Sequence, residues 1–141
     1  MGRKNIENTD GERAVELTVR AYPKINIGLY VGETRKDGFH PIISIFQKVY
    51  DFFDEIKVNF ELSDHRSVEV TGLEGIAPAD DNTLYKAAVN FLDISGITAK
   101  IKIHMIDHGI PLRSGLGGPS SDAASVILSL DRLCNTALKS T

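Results

Sequence analysis

The sequence lacks three features that would each point to a class of protein: cysteine pairs, an excess of one charge, and long apolar runs. Its one cysteine, Cys134, excludes an internal disulfide and a multi-cysteine metal site, and it fits a reducing compartment. A net charge of −3 leaves the chain without the global basic field that binds nucleic acid. No stretch approaches the ~20 apolar residues that span a bilayer.

Residues 1–14 are polar and lack the apolar segment of a secretory signal. We interpret them as a flexible leader and predict a cytoplasmic protein. Residues 15–141 are sufficient for one domain with a single core. The chain is 42% hydrophobic and 25% charged, which is typical of globular proteins and excludes a disordered class.

Apolar periodicity predicts an α+β fold. Residues 15–31 alternate with the two-residue period of a half-buried strand, and Pro23, which cannot donate to a ladder, predicts an edge or a break. Helical spacing predicts one helix that ends near Gly96 and a second from about Ser120 through Leu133. The further predicted strands are 43–50, 55–60, 67–71 and 100–106. The order is mostly strands, then helix, strand, glycine loop and helix, rather than strict βαβ repetition.

The run PLRSGLGGPSSD, residues 111–122, places glycine, proline and serine directly before the second helix. The first N–H groups of a helix have no helical partner, and the helix dipole adds partial positive charge there. Glycines allow the backbone to curl its amides around a phosphate, and Ser120 or Ser121 can cap the helix. A tight strand-to-helix connection without a ligand is the alternative. The run has neither the Walker A lysine nor GxGxxG spacing.

A second candidate site lies on the strand AYPKINIGLYV. Lys24 and Asn26 are two residues apart, so their side chains share one face of the strand, and isoleucines occupy the other face. A cation and an amide on one face could hold a polar substrate. The alternative is an edge strand whose solvated face carries these two residues.

Phe39 and His40 follow the turn signal Asp37-Gly38. An exposed aromatic ring beside a histidine can stack on a base and hydrogen-bond to its edge. The alternative, which the residues alone favour, is a loop anchor in which Phe39 packs inward.

Together, the stretches AYPKINIGLYV, RKDGFHPIISIFQ, DNTLYKAA and IPLRSGLGGPSSDAA closely resemble the 4-diphosphocytidyl-2-C-methyl-D-erythritol kinase family of the GHMP kinase superfamily. The family motifs PAKINL, DGYH and PxGAGLGGGSSDAA have counterparts here in the same order, from Ala21 to about Leu133. The glycine loop is typical of the superfamily, whereas DGFH after the strand is typical of this family. The resemblance implies a ribosomal protein S5 domain 2-like fold, with mostly antiparallel strands and helices on one face.

The resemblance also implies a reaction: transfer of the γ-phosphate of ATP, with Mg²⁺, to the 2-hydroxyl of 4-diphosphocytidyl-2-C-methyl-D-erythritol in non-mevalonate isoprenoid precursor synthesis. It implies that Lys24 is catalytic beside the reacting hydroxyl and that Asn26 orients the sugar alcohol. It implies that His40 reads the cytosine edge while Phe39, in place of tyrosine, stacks on the ring. Asn82 matches an asparagine near the ATP base. The residues implied to wrap the ATP phosphates are Pro111, Leu112, Arg113, Ser114, Gly115, Leu116, Gly117, Gly118, Pro119, Ser120 and Ser121, with the hydroxyl of Ser120 or Ser121 near Mg²⁺.

Besides Phe39, four positions depart from the family pattern. Pro119 stands where the family usually has a third glycine, which removes one N–H and fixes φ. Arg113 and Ser114 replace small residues, and Arg113 could add a phosphate contact. His108 stands where relatives often carry a lysine near the nucleotide.

Length is the larger departure, because family members are roughly twice as long, which fits two domains rather than one. The resemblance implies that their general-base aspartate, in a GADVP-like segment, and their C-terminal domain both lie beyond Thr141. We therefore expect residues 15–141 to be an N-terminal ATP-binding domain that is catalytically poor alone. The expected partners are ATP and the small-molecule substrate, with neither nucleic acid nor membrane. The alternatives are a mevalonate- or homoserine-type GHMP kinase and a non-catalytic nucleotide-binding module.

Overall fold

A computed structural model describes residues 14–78, 80 and 82–139, so the predicted leader lies outside the described residues except for Ala14. Their apolar alternation and helical spacing produce six strands and two helices within the described part of the chain. These are β1 (Val15–Ala21), β2 (Lys24–Val31), β3 (Ile42–Lys48), β4 (Asp54–Leu62), β5 (Ser67–Thr71), α1 (Thr83–Ser95), β6 (Ala99–His108) and α2 (Gly118–Leu138). The α+β prediction is confirmed.

Four strands form the main sheet in the order β1-β4-β6-β5, in which only the β5–β6 pair is parallel among the described strands. Alternate residues of the central strands, including Phe60 and Ile101, are fully buried in a core with α1 and α2. The alternating positions between them carry charged groups, such as the 2.9 Å pair of Lys57 Nζ with Glu16 Oε2. The predicted arrangement, with helices on one face, follows from this alternation.

β2 and β3 form a separate antiparallel hairpin, with Lys24 opposite Lys48 and Val31 opposite Ile42. Pro23 lies between β1 and β2, so its prediction as a strand break is confirmed, and the chain changes sheet there. The hairpin register shifts by one residue between Asn26 and Gly28, which is a β-bulge.

The helix ends only partly follow the sequence prediction. Gly96 ends α1 in the left-handed conformation, as predicted. α2, however, begins at Gly118, and its N-cap is Gly117 with φ 72° and no side-chain hydrogen bond. The prediction that a serine caps α2 is therefore wrong. Neither α1 nor α2 is long and apolar enough to cross a membrane.

Candidate active site

The glycine loop, residues 111–117, connects β6 to α2 and alternates in backbone conformation. Arg113, Gly115 and Gly117 have φ of 54°, 75° and 72°, and these are its three residues with positive φ. Left-handed residues at alternate positions turn successive N–H groups toward one concave side, which is the arrangement called a nest that binds anions. Arg113 is the one non-glycine residue with positive φ in the described part of the chain, and this conformation is strained.

The loop leads directly into the first turn of α2, whose leading N–H groups have no helical partners. Pro119 occupies one of the first positions of the helix, where the missing N–H deprives no helical carbonyl of its donor. The loop and the helix start thus offer main-chain N–H donors suited to an anion, with a gap at Pro119.

Lys24 lies against this loop in two ways. Its main-chain N–H donates to the Leu116 carbonyl at 3.0 Å. A Cβ added at Gly117 would lie 3.1 Å from Lys24 Cε, so the lysine stem uses the space that a side chain would fill. Lys24 Nζ donates to Asn26 Oδ1 at 3.1 Å, which confirms the prediction that both side chains share one face. The structure thus joins the two candidate sites of the sequence.

Ser121 makes a second connection between the loop region and the start of the hairpin. Its hydroxyl donates to the Tyr22 carbonyl at 2.7 Å, and its hydrogen is therefore not available to a ligand. Its oxygen retains lone pairs, and Ser120 is exposed. The described residues hold no cluster of three or more His, Cys, Asp or Glu side chains around a metal site.

The hairpin loop, residues 32–41 between β2 and β3, exposes Phe39, which has 72% of its surface accessible, so the inward-packing alternative is wrong. His40 is held locally: its Nδ1 lies 3.0 Å from the Gly32 carbonyl oxygen and its Nε2 lies 3.3 Å from Thr34 Oγ1. Because a carbonyl only accepts, Nδ1 donates to Gly32, and Nε2 is paired with the threonine hydroxyl. Both ring nitrogens of His40 thus already have hydrogen-bond partners within the protein.

Asn82 and His108 have contacts away from the glycine loop itself. Asn82 is buried and caps α1, because its Oδ1 accepts the Tyr85 N–H at 2.9 Å. Its Nδ2 donates to the Pro78 carbonyl at 2.9 Å. His108 Nδ1 lies 3.4 Å from Asp54 Oδ1. These contacts account for local structure.

Sequence reasoning did not predict the burial of two carboxylates, Asp54 and Asp122. Both are buried in the structure, and burial and the nearby Asp54 raise the pKa of Asp122 to about 8. A signal was present: Asp54 is in phase with Ile56 and Val58 of β4, and Asp122 is four residues before Val126 of α2. Each aspartate therefore continues the apolar face of its element.

The comparisons with known proteins agree with this geometry. The family "GHMP kinases N terminal domain" matches residues 82–141, which include the glycine loop. A homoserine kinase from Cytophaga hutchinsonii superposes with a TM-score of 0.62 over 84% of this chain and 35% of that one. At 20% identity, this likeness shows the fold alone. Residues 82–141 thus match the GHMP kinase N-terminal domain, and the fold of the chain is that of this domain.

Within that class, the curated relatives point to one enzyme. The chain is 41% identical to 4-diphosphocytidyl-2-C-methyl-D-erythritol kinase of Geobacter metallireducens over 86% of its length, and 40% identical to that of Pseudoalteromonas translucida over 82%. A solved 4-(cytidine 5'-diphospho)-2C-methyl-D-erythritol kinase matches at 32% identity with a TM-score of 0.61, over 82% of this chain and 40% of that one. The resemblance predicted from the motifs is confirmed. The chain spans 42% and 39% of the two curated relatives.

Proposed function

We propose that this chain is the ATP-binding part of a cytoplasmic kinase that phosphorylates the 2-hydroxyl of 4-diphosphocytidyl-2-C-methyl-D-erythritol. One observation carries the proposal: Lys24 is hydrogen-bonded through its main chain to the glycine loop, and its side-chain stem lies against Gly117. A lysine beside a phosphate-binding loop is the arrangement that phosphoryl transfer needs, because the reaction depends on alignment and on charge stabilisation.

The loop amides and the start of α2 would hold the triphosphate of ATP, and Arg113 would add a charged contact at its exposed edge. The Lys24 ammonium would stabilise the negative charge that develops as the acceptor hydroxyl attacks. Asn26, which accepts a hydrogen bond from Lys24, would fix the amine and orient the sugar alcohol. Mg²⁺ prefers oxygen ligands and would be held mainly by the phosphates, with the hydroxyl oxygen of Ser120 or Ser121 beside them.

The hairpin loop would bind the cytidine end of the substrate. The exposed ring of Phe39 is available for stacking on a base. For His40 to read the base edge, the base would have to replace Thr34 at Nε2, since that nitrogen is paired in the free protein. The assignment of Asn82 to the adenine end rests on the resemblance alone.

The test is Lys24→Ala in two settings. In this chain, the dissociation constant for ATP with Mg²⁺, measured by calorimetry, should stay nearly unchanged because the backbone loop holds the phosphates. In a chimera in which this chain replaces the matching part of the Geobacter metallireducens kinase, kcat should fall by about 100-fold, as when a transition-state charge contact is removed.

Lys102→Ala, at an exposed lysine of β6, is the control and should change neither quantity. A large loss of ATP affinity with normal turnover in Lys24→Ala would contradict the catalytic role. Failure of the unmodified chain to bind ATP would contradict the proposed function as a whole.

A nucleotide-binding module without transferase activity is the second candidate, and Pro119 favours it by removing one donor N–H from the start of α2. The unmodified chimera separates the two candidates. Turnover of the cytidine substrate supports the kinase, whereas ATP binding by the chain without turnover by the chimera supports the module.

A further inference from the structure

Phe46 in β3 is a large apolar side chain that no role proposed above uses. The hairpin leaves 58% of its surface exposed, so packing in the core does not account for it. Its position in the hairpin register gives another account. Phe46 lies directly opposite Asn26, and directly opposite residues of an antiparallel pair share one face of the sheet. Phe46 is therefore on the face that carries Lys24.

Lys24 and Phe46 are diagonal neighbours on this face. Lys48 lies directly opposite Lys24, and Phe46 is two residues before Lys48 on the same strand. Long and aromatic side chains reach each other across such a diagonal. The ammonium nitrogen of Lys24 lies over the Phe46 ring, 5.2 Å from the ring centroid, which is within the range of a cation–π contact.

The same register brings two positive charges together at the start of the hairpin. Lys24 and Lys48 are directly opposite, and like charges in such a pair destabilise a sheet. The two ammonium groups contact different rings, because Lys48 Nζ lies 4.6 Å from the centroid of the Tyr22 ring. Aromatic contacts thus direct the two lysines to different places, and Phe46 is the ring that receives Lys24.

Three uncharged partners hold the Lys24 side chain. Its stem lies against Gly117, its amine donates to Asn26 Oδ1, and its charge lies over Phe46. Lys24 forms no ion pair with any of the described residues. A carboxylate in the place of Phe46 would offset the charge of the lysine and repel a phosphate. The face of a ring attracts the ammonium group and leaves its positive charge uncompensated.

We propose that Phe46 is a positioning residue that holds the ammonium group of Lys24 beside the glycine loop while preserving its charge. A charge that is already in place costs no reorganisation when the transition state forms. The effect on turnover rests on the proposed kinase function, whereas the contact itself is a property of the unliganded chain.

The first test observes the contact in the unliganded chain. Protons held over the face of an aromatic ring resonate upfield, so the Hε protons of Lys24 report the contact in a ¹H–¹³C correlation spectrum. Phe46→Leu removes the ring and keeps an apolar side chain, so it should move these resonances downfield, toward those of exposed lysines. Phe46→Tyr keeps the ring and should leave them in place. Unchanged Lys24 resonances in Phe46→Leu would overturn the proposal.

The second test measures turnover of the cytidine substrate by the chimera with the Geobacter metallireducens kinase. Phe46→Leu should lower kcat by about two- to fivefold, the size of one cation–π contact at an exposed site, and Phe46→Tyr should restore it. In a chimera that already carries Lys24→Ala, Phe46→Leu should lower kcat no further, because the ring acts only through the lysine. The KM for ATP should stay unchanged in all these variants.

Ile45→Leu is the control, because Ile45 is exposed and adjacent residues of a strand point to opposite faces. It should change neither measurement. A higher KM for the cytidine substrate with unchanged kcat in Phe46→Leu would overturn the proposal, and so would an equal loss of kcat in the Lys24→Ala background. If the unmodified chimera has no turnover, the proposed function fails, while the Lys24 resonances still decide whether Phe46 holds the lysine.

Discussion

The four-stranded sheet and the β2–β3 hairpin both have recurring apolar residues, but these residues are buried in the sheet and exposed in the hairpin. In β4, every second residue from Ile56 to Phe60 is fully buried beneath the helices. In the hairpin, apolar residues also recur, yet Ile27 and Ile43 are 63% and 73% exposed. An alternating pattern therefore specifies a strand, whereas burial requires a second layer supplied by elements elsewhere in the chain.

The hairpin is held by its ladder and by contacts at its two ends, since a two-stranded sheet is marginal by itself. At the open end, Val49 donates to the Pro23 carbonyl at 3.0 Å and Lys24 donates to Leu116. At the turn, Gly32 donates to the Pro41 carbonyl at 2.8 Å. Main-chain hydrogen bonds thus replace the apolar core that stabilises the main sheet, and substitutions should affect the two regions differently.

The largest expected difference between the two regions is in how ionisable groups in each make the free energy of unfolding depend on pH. Burial and Asp54 raise the pKa of Asp122 from its ordinary 3.8 to about 8. Between these values the folded state holds a proton that the unfolded state has lost. This contribution to stability is therefore complete below about pH 4 and is lost as the pH rises toward 8, by on the order of 1 kcal/mol for each pH unit.

Urea unfolding of Asp122→Asn across pH 4–9 should remove this part of the pH dependence. The matched change in the hairpin is Asp37→Asn, because Asp37 is solvent-exposed in its 2.7 Å pair with Arg35. We expect its curve to follow that of the unmodified chain closely. A parallel course of the Asp122→Asn and unmodified curves would exclude the proton on Asp122.

The next largest difference is in the free energy of unfolding lost when an isoleucine is truncated to alanine in each region. Ile56→Ala should lower the free energy of unfolding by about 2–5 kcal/mol, because it leaves a cavity in a packed core. Ile43→Ala removes the same atoms from an exposed position and should cost under about 1 kcal/mol, the range of strand propensity. Chemical denaturation at fixed pH measures both. Equal costs would mean that the hairpin is packed against another surface in solution.

The smallest expected difference in stability is between alanine substitutions at two glycines that have nearly the same backbone conformation. Gly72 and Gly38 have φ of 84° and 83°. A Cβ at Gly72 would lie 2.3 Å from the Met105 carbonyl oxygen, whereas nothing lies within 4 Å at Gly38. Each alanine substitution costs about 1–2 kcal/mol in the left-handed region.

Gly72→Ala should cost about 1–3 kcal/mol more than Gly38→Ala, because the clash adds to the backbone strain. Thermal unfolding of both variants measures the difference. Equal melting temperatures would show that the close approach of Gly72 to β6 is relaxed in solution.

Local patterns predicted the strands, the break at Pro23 and the glycine stop of α1, since each depends on residues close in the chain. The N-cap of α2 was predicted wrongly for the opposite reason. Ser121 has the chemistry of a cap, but its hydroxyl donates to the Tyr22 carbonyl, 99 residues away. A spacing rule does not include a competing acceptor from a distant part of the chain, and the left-handed Gly117 takes the cap position instead.

The candidate site shows the same division. The motifs identified Lys24 and the glycine loop separately, and only the fold shows that they touch. The burial of Asp54 was not predicted. An acidic residue next to an apolar alternating run usually marks the exposed end of a strand, although Asp54 is in phase with the buried Ile56 and Val58. Its carboxylate is buried against Ile110, which lies in a connection much later in the chain.

The short segment Tyr22–Lys24 joins the main sheet to the hairpin, and the loop region is bonded to both residues that flank its proline. Ser121 binds the carbonyl before Pro23, and Leu116 accepts the N–H after it. A rotation of the hairpin relative to the main sheet at Pro23 would either break these hydrogen bonds or move the glycine loop together with the hairpin. These two hydrogen bonds therefore fix the start of the hairpin relative to the candidate phosphate-binding loop.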